Sequence, residues 1–234
     1  MKDPRPGVTG TLRSYLTRLR HRGPAEVAGA VAGSVGAFRR SSGVIRFLER
    51  STRQPGDEDG PDVVLREATP ADAEAYARDI ATDSRFTFVG RLGAGTECFL
   101  ALESDRLVHA SWVTTRAAWI GELGRYFTPD KGSAYVYESF TSPFVRGRGI
   151  YPAVLRHIAR TLGERGVERV WIGVGADNAP SVRAIDKAGF EPGFDIGFEI
   201  RWGRIDIPTV TGPKAAQAER MIRKRLPANR SHVT

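Results

Sequence analysis

Thr141-Ser142-Pro143-Phe144-Val145-Arg146-Gly147-Arg148-Gly149-Ile150-Tyr151-Pro152 joins two segments of different periodicity. Before it, residues 134–142 are rich in Tyr, Val, Phe and Thr and read as a strand. After it, Ile150, Val154, Leu155, Ile158 and Leu162 recur at helical spacing, so a helix is expected from Pro152 to about Arg165, ended by Gly166. Two glycines let the connecting backbone turn tightly and approach a ligand without Cβ contacts. Free amide N–H groups at a helix N-terminus suit phosphate oxygens, and Arg146 and Arg148 add positive charge beside them. A pyrophosphate is the natural guest. A dinucleotide fingerprint would need glycine where Pro152 stands, and a P-loop would need Gly-Lys-Ser/Thr at the helix start. Neither is present.

Working outward, residues 63–67 read as a strand, and Thr69-Pro70-Ala71-Asp72 caps a helix to about Ala81. Residues 97–103 and 107–115 are two strands joined as a hairpin at Ser104-Asp105-Arg106. Residues 167–174 form a buried strand, Asn178 caps a helix ending at Gly189, and 194–202 is the last strand. This order implies an α/β (α+β) domain with a mixed central sheet flanked by helices. The unit from 134 to 174 should be a right-handed crossover between parallel strands.

Charge divides the chain. The net charge is +8, yet residues 1–54 hold 11 Lys and Arg against 3 Asp and Glu, and residues 212–234 hold 6 against 1. The middle is mildly acidic, which argues against a nucleic-acid-binding domain. Residues 1–54 read as a basic helical extension: Leu12, Tyr15, Leu16 and Leu19 lie on one face among arginines, and a weaker helical stretch runs to about Arg50. Residues 55–61 read as a proline-bracketed linker, 62–211 as the compact domain and 212–234 as a basic flexible tail. Basic ends suit an anionic partner, such as an acidic carrier protein or a membrane surface. No stretch has the roughly 20 apolar residues needed to span a bilayer. The single cysteine, Cys98, and four scattered histidines offer no disulfide framework and no metal site, so a reducing, cytoplasmic setting is expected. Arginine supplies 30 of the 35 basic residues, a bias that fits a GC-rich bacterial genome.

The order strand, Arg-Gly-x-Gly-Ile, helix, strand, followed by Asn178-x-x-Ser181 and Lys187-Ala188-Gly189-Phe190, resembles the GNAT acyltransferase superfamily. Thr141, Pro143, Arg146, Gly147, Gly149 and Ile150 fall in register with that pattern, and Leu65-Arg66-Glu67-Ala68-Thr69-Pro70 looks like the family's opening strand and helix. The resemblance spans about 62–203. It implies a mostly antiparallel sheet and a co-substrate, acetyl-CoA or a longer acyl-CoA. By the same resemblance, Arg146, Gly147, Arg148, Gly149, Ile150 and Tyr151 would hold the pyrophosphate, and Ser139, Phe140 and Thr141 would pair with the pantetheine arm. Asn178 and Ser181 would contact its far end, and the acceptor would be a small-molecule or peptide amine.

Three positions depart from the family. Tyr151 replaces a small residue, Ile185 stands where many members carry a tyrosine acid, and Gly173 where some carry a glutamate base. An amine of pKa about 10.4 must still lose a proton before it attacks. Glu138, a carboxylate in mid-strand, and His109, whose reference pKa is near 6.5, are the candidate bases. Tyr137 and Tyr151 are candidate donors to the leaving sulfur, whereas His157 beside Ile158 reads as packing. Trp112, Trp119, Tyr126 and Phe127 flank a stretch, 118–131, expected to loop over the acceptor. Alternatives that keep the fold are an acyl-carrier-protein donor or membrane-surface acceptor docked by the basic ends, and a non-catalytic acyl-CoA or polyanion-binding module.

Overall fold

Eight segments of the chain assemble into one large sheet. The computed structural model describes residues 40–54, 60–93 and 95–224. The strands of this sheet are β1 (Arg40–Ser51), β2 (Val64–Glu67), β3 (Thr96–Glu103), β4 (Arg106–Thr114), β7 (Ser133–Thr141), β8 (Arg169–Gly175), β9 (Glu191–Arg201) and β10 (Arg204–Thr211), and they lie in the order β10-β9-β1-β8-β7-β4-β3-β2. A second sheet joins β5 (Ala118–Ile120), β6 (Arg125–Phe127) and β11 (Ile222–Arg223). Every pairing in the large sheet is antiparallel except β7 with β8, the crossover expected from the sequence. The β3–β4 hairpin turns through Ser104 and Asp105 with φ of 47° and 61°, the left-handed pair that matches strand twist.

Helices cover both faces. The long helix α3 (Ile150–Glu164) and α4 (Ala179–Lys187) lie on one face, where Val154, Leu155, Ile158 and Ile185 pack on Phe99, Val136 and Ile172. On the other face, α1 (Ala73–Ala75), continued by a π turn (Tyr76–Ile80), and α2 (Arg85–Arg91) cover Leu100, Ala110 and Trp112. Beside them, the β5–β6 hairpin and α5 (Ala215–Met221) cover Phe47, Tyr135, Trp171 and Phe194. The Ser84 hydroxyl caps α2 by accepting from the Thr87 amide at 3.2 Å.

Both expected domain boundaries move outward. The helical stretch expected to run to Arg50 is instead β1, which pairs with β8 on one side and β9 on the other. A strand wins because the segment is buried from both faces, with Phe47 and Leu48 at 0% and 1% exposure on opposite sides. Its charged residues have partners: Glu49 pairs with Arg169 at 2.9 Å and with Lys214, and Arg50 donates to the Ala188 carbonyl. At the other end, residues 212–224 are not a loose tail, because α5 buries Ala218 and Met221 and β11 pairs with β6. The basic helix around Leu12–Leu19, most of the 55–61 linker and the last ten residues lie outside the described residues. Among the described residues, no helix is long and apolar enough to cross a membrane, and no group of three or more His, Cys, Asp or Glu is placed to hold a metal.

Candidate active site

The site begins where β7 and β8 part. Their ladder pairs Tyr135 with Trp171 and Val136 with Ile172 and then ends, although both strands continue. Opposite β4, Ser111 faces two residues of β7, Glu138 and Ser139, because Ala110 pairs with Phe140 and Trp112 with Tyr137. Glu138 takes φ of 49° in this bulge. One extra residue reverses which face the following side chains reach. Ser139 and Thr141 therefore turn to the α3 side, onto His109 and Ser111, while Glu138 stays on the α2 side.

Beyond the bulge, the glycine turn opens a cavity of about 730 Å³ between the N-termini of α3 and α4. Gly147 and Gly149 have φ of 80° and 77°, and a Cβ at either would meet no atom within 4 Å. The glycines serve backbone conformation here, and the space beside them is open. Of the expected donor-binding residues, Ser139, Phe140, Thr141, Arg146, Gly147, Gly149, Ile150, Tyr151, Asn178 and Ser181 line this cavity. Arg148 does not: it is paired with Glu103 at the β3–β4 turn. Arg183 of α4, which the motif pattern had not singled out, and Lys187, quoted in that pattern without a binding role, supply positive charge in its place. Asn178 has a structural duty, its Oδ1 accepting from the Ser181 amide at 3.3 Å to cap α4. Two glycine-turn amides, three cationic side chains and this volume fit a phosphate-bearing, elongated ligand such as acyl-CoA.

His109 does not line the cavity. It is fully buried, with Nδ1 2.7 Å from Thr141 Oγ1 and Nε2 2.8 Å from Ser111 Oγ, and Ser111 continues at 2.7 Å to Ser139. The Tyr151 ring stacks on it at 5.3 Å. Burial lowers its pKa from 6.5 to about 3. Both nitrogens are engaged and the ring resists a charge, so His109 is a poor direct base and serves to fix Ser139 and Thr141. The unfolded chain takes up this proton near pH 6.5, whereas the folded protein resists it until about pH 3. The His109 contribution is therefore whole above pH 6.5 and is lost at about 1.4 kcal/mol per unit as pH falls. Thermal melts between pH 7 and 5 should show this slope, and His109→Gln should flatten it. His157, half-buried and shifted the same way by burial, remains in both proteins as the background. Equal slopes would contradict the assignment.

On the opposite face, Glu138 is half-exposed and pairs with Arg91 at 2.8 Å. The Arg91 guanidinium also pairs with Asp83 and lies 3.9 Å over the Trp112 ring and 5.4 Å over that of Tyr137. Burial raises the Tyr137 pKa above the ordinary phenol value, with Arg91 opposing. Arg91 and Asp83 were not singled out in the sequence, because α2 has no clear apolar period. The expected loop over the acceptor is the β5–β6 hairpin, and its aromatics divide: Phe127 is core, whereas Trp119 is 39% exposed over Tyr126. Trp112 is core beneath α2, and Ile185 is sealed beneath α4.

Residues 83–190 match the sequence model of the acetyltransferase (GNAT) family. Among solved structures, a GCN5-related N-acetyltransferase from Sphaerobacter thermophilus aligns with 75% of this chain at 17% identity and a TM-score of 0.52. A putative GNAT-family acetyltransferase from Novosphingobium aromaticivorans aligns over 67% of this chain and 63% of its own at 18% identity and a TM-score of 0.48. The chain spans 58% of the length of the Sphaerobacter protein, so that likeness speaks for the fold. No curated protein sequence matches. The family match contains β7, the glycine turn, α3, β8 and α4, every element that builds the cavity, and over these residues the chain is similar to the GNAT acetyltransferases.

Proposed function

We propose that this protein is an N-acyltransferase that moves an acyl group, most simply acetyl, from acyl-CoA to a primary amine by direct transfer. The observation that carries the reading is the open glycine turn at the α3 N-terminus, facing a basic cavity at the parting of β7 and β8. In this reading the turn amides and Arg146 bind the pyrophosphate, and Arg183 and Lys187 bind the remaining phosphate. Ser139, Phe140 and Thr141 offer β7 backbone to the pantetheine arm, since among the described residues no strand pairs with β7 on its β8 side beyond Val136.

The amine approaches from the α2 side, where Glu138 takes its proton directly or through one water. The C–N bond forms, the C–S bond breaks, and the free thiol of coenzyme A leaves. Arg91 holds Glu138 in place, and Tyr137 closes that side of the cleft. The test is thiol release from acetyl-, octanoyl- and palmitoyl-CoA, each with a panel of small and peptide amines. At least one pair should release thiol and yield the amide by mass, and Glu138→Gln should lower kcat by about 10²–10⁴-fold. Binding without turnover on every amine would favour the non-catalytic reading.

A further inference from the structure

Tyr135 carries a hydroxyl with no partner among the described residues. The residue is 5% exposed, its ring stacked on Phe127 at 4.2 Å and parallel to Tyr137 at 6.2 Å. Among the described residues its hydroxyl makes no hydrogen bond. The hydroxyl is not one of the fully buried side-chain atoms that lack a partner, so it keeps accessible surface and is open to a role.

Its position supplies one. A Cβ at Gly173 would lie 2.7 Å from the Tyr135 oxygen, so the hydroxyl fills the notch that the missing side chain leaves on β8. Gly173 is the first β8 residue beyond the last rung of the β7–β8 ladder, so the hydroxyl stands at the mouth of the gap. It lies within electrostatic reach of Tyr151 on the helix side, Glu138 and Tyr137 on β7, and Glu122 on the β5–β6 hairpin. Groups from both sides of the sheet thus converge on one unpaired phenol.

Resting on the acyltransferase reading above, we propose that Tyr135 is a catalytic residue that donates a hydrogen bond to the thioester as negative charge develops on it. Burial raises its pKa above the ordinary phenol range, while a thiol titrates near 8.5. Transfer of the Tyr135 proton to the departing thiolate is therefore uphill. The phenol stays protonated and stabilises charge, the C–N bond forms as the C–S bond breaks, and the amine's proton leaves through Glu138. This differs from a tyrosine acid on α4, whose place is taken by the buried Ile185.

The experiment compares wild type with Tyr135→Phe, which keeps the ring and its stacking. Using acetyl-CoA and an amine that supports wild-type turnover, kcat should fall about 10²–10³-fold, the loss seen when one preorganised donor is removed. The Kd for acetyl-CoA should stay within about twofold, and the pH dependence of the residual kcat should be unchanged. Equal kcat in the two proteins overturns this assignment and leaves the acyltransferase reading standing. An alkaline limb present in wild type and missing from the variant also overturns it, since Tyr135 would then be transferring its proton. A wild type that binds acetyl-CoA and turns over with no amine overturns both.

Discussion

Gly149→Asp should abolish measurable binding of acetyl-CoA while leaving the protein folded. Gly149 has φ of 77°, immediately before the first residue of α3, and open space lies where its Cβ would point. Aspartate is among the residues that tolerate the left-handed region best, so the strain amounts to about 1 kcal/mol. For a domain of this size that lowers the melting temperature by about 2–4 °C. The carboxylate, in contrast, would stand where the α3 N-terminus and Arg146 attract an anion, and like-charge juxtaposition costs several kcal/mol. An affinity loss of at least about 100-fold follows. Gly149→Ala supplies the control, because it adds strain without charge and should retain most of the binding. Unchanged affinity in the aspartate variant would show that the phosphates lie elsewhere.

The second large effect concerns the start of the domain. A chain beginning at Asp62 should fail to fold, although the sequence pattern alone places the domain boundary there. Such a chain lacks β1, which sits between β8 and β9 and splits the large sheet when removed. It loses Phe47 and Leu48 from two cores, each about 1.5–3 kcal/mol of burial, besides both hydrogen-bonded ladders. It also strips Arg169 and Lys214 of Glu49 and frees the Ala188 carbonyl that Arg50 holds. Against a total stability of about 5–15 kcal/mol, these losses are decisive. Circular dichroism and a thermal melt should show no cooperative transition, whereas the full chain should melt cooperatively. A cooperative melt from the chain starting at Asp62 would mean that β1 is an addition to the domain and not part of it.

The half of the sheet that builds the cavity was legible, because the strand period of 134–142 breaks at a glycine turn into the helical period of α3. The residues expected to bind the donor came with it, and ten of the eleven line the cavity. Arg148 was misplaced because an arginine between two glycines reads as phosphate-facing until Glu103, 45 residues away, is brought beside it. β1 was misread because Arg46, Glu49 and Arg50 interrupt the alternation of a buried strand, and their partners Asp195, Arg169, Lys214 and Ala188 are remote in sequence. The reacting side was least visible. His109 reads as a base until burial and two hydroxyls claim it, and Tyr135 reads as one more core aromatic until Gly173 leaves room for its hydroxyl. Chemistry that depends on a strand bulge and an unpaired oxygen has no signature in spacing.

Whether the glycine turn binds an acyl-CoA is decided by calorimetric titration of the full chain with acetyl-, octanoyl- and palmitoyl-CoA. Saturable one-site binding in the micromolar range is expected for at least one of them, weakened by added salt and absent in Gly149→Asp. A folded protein that takes up none of the three would contradict it.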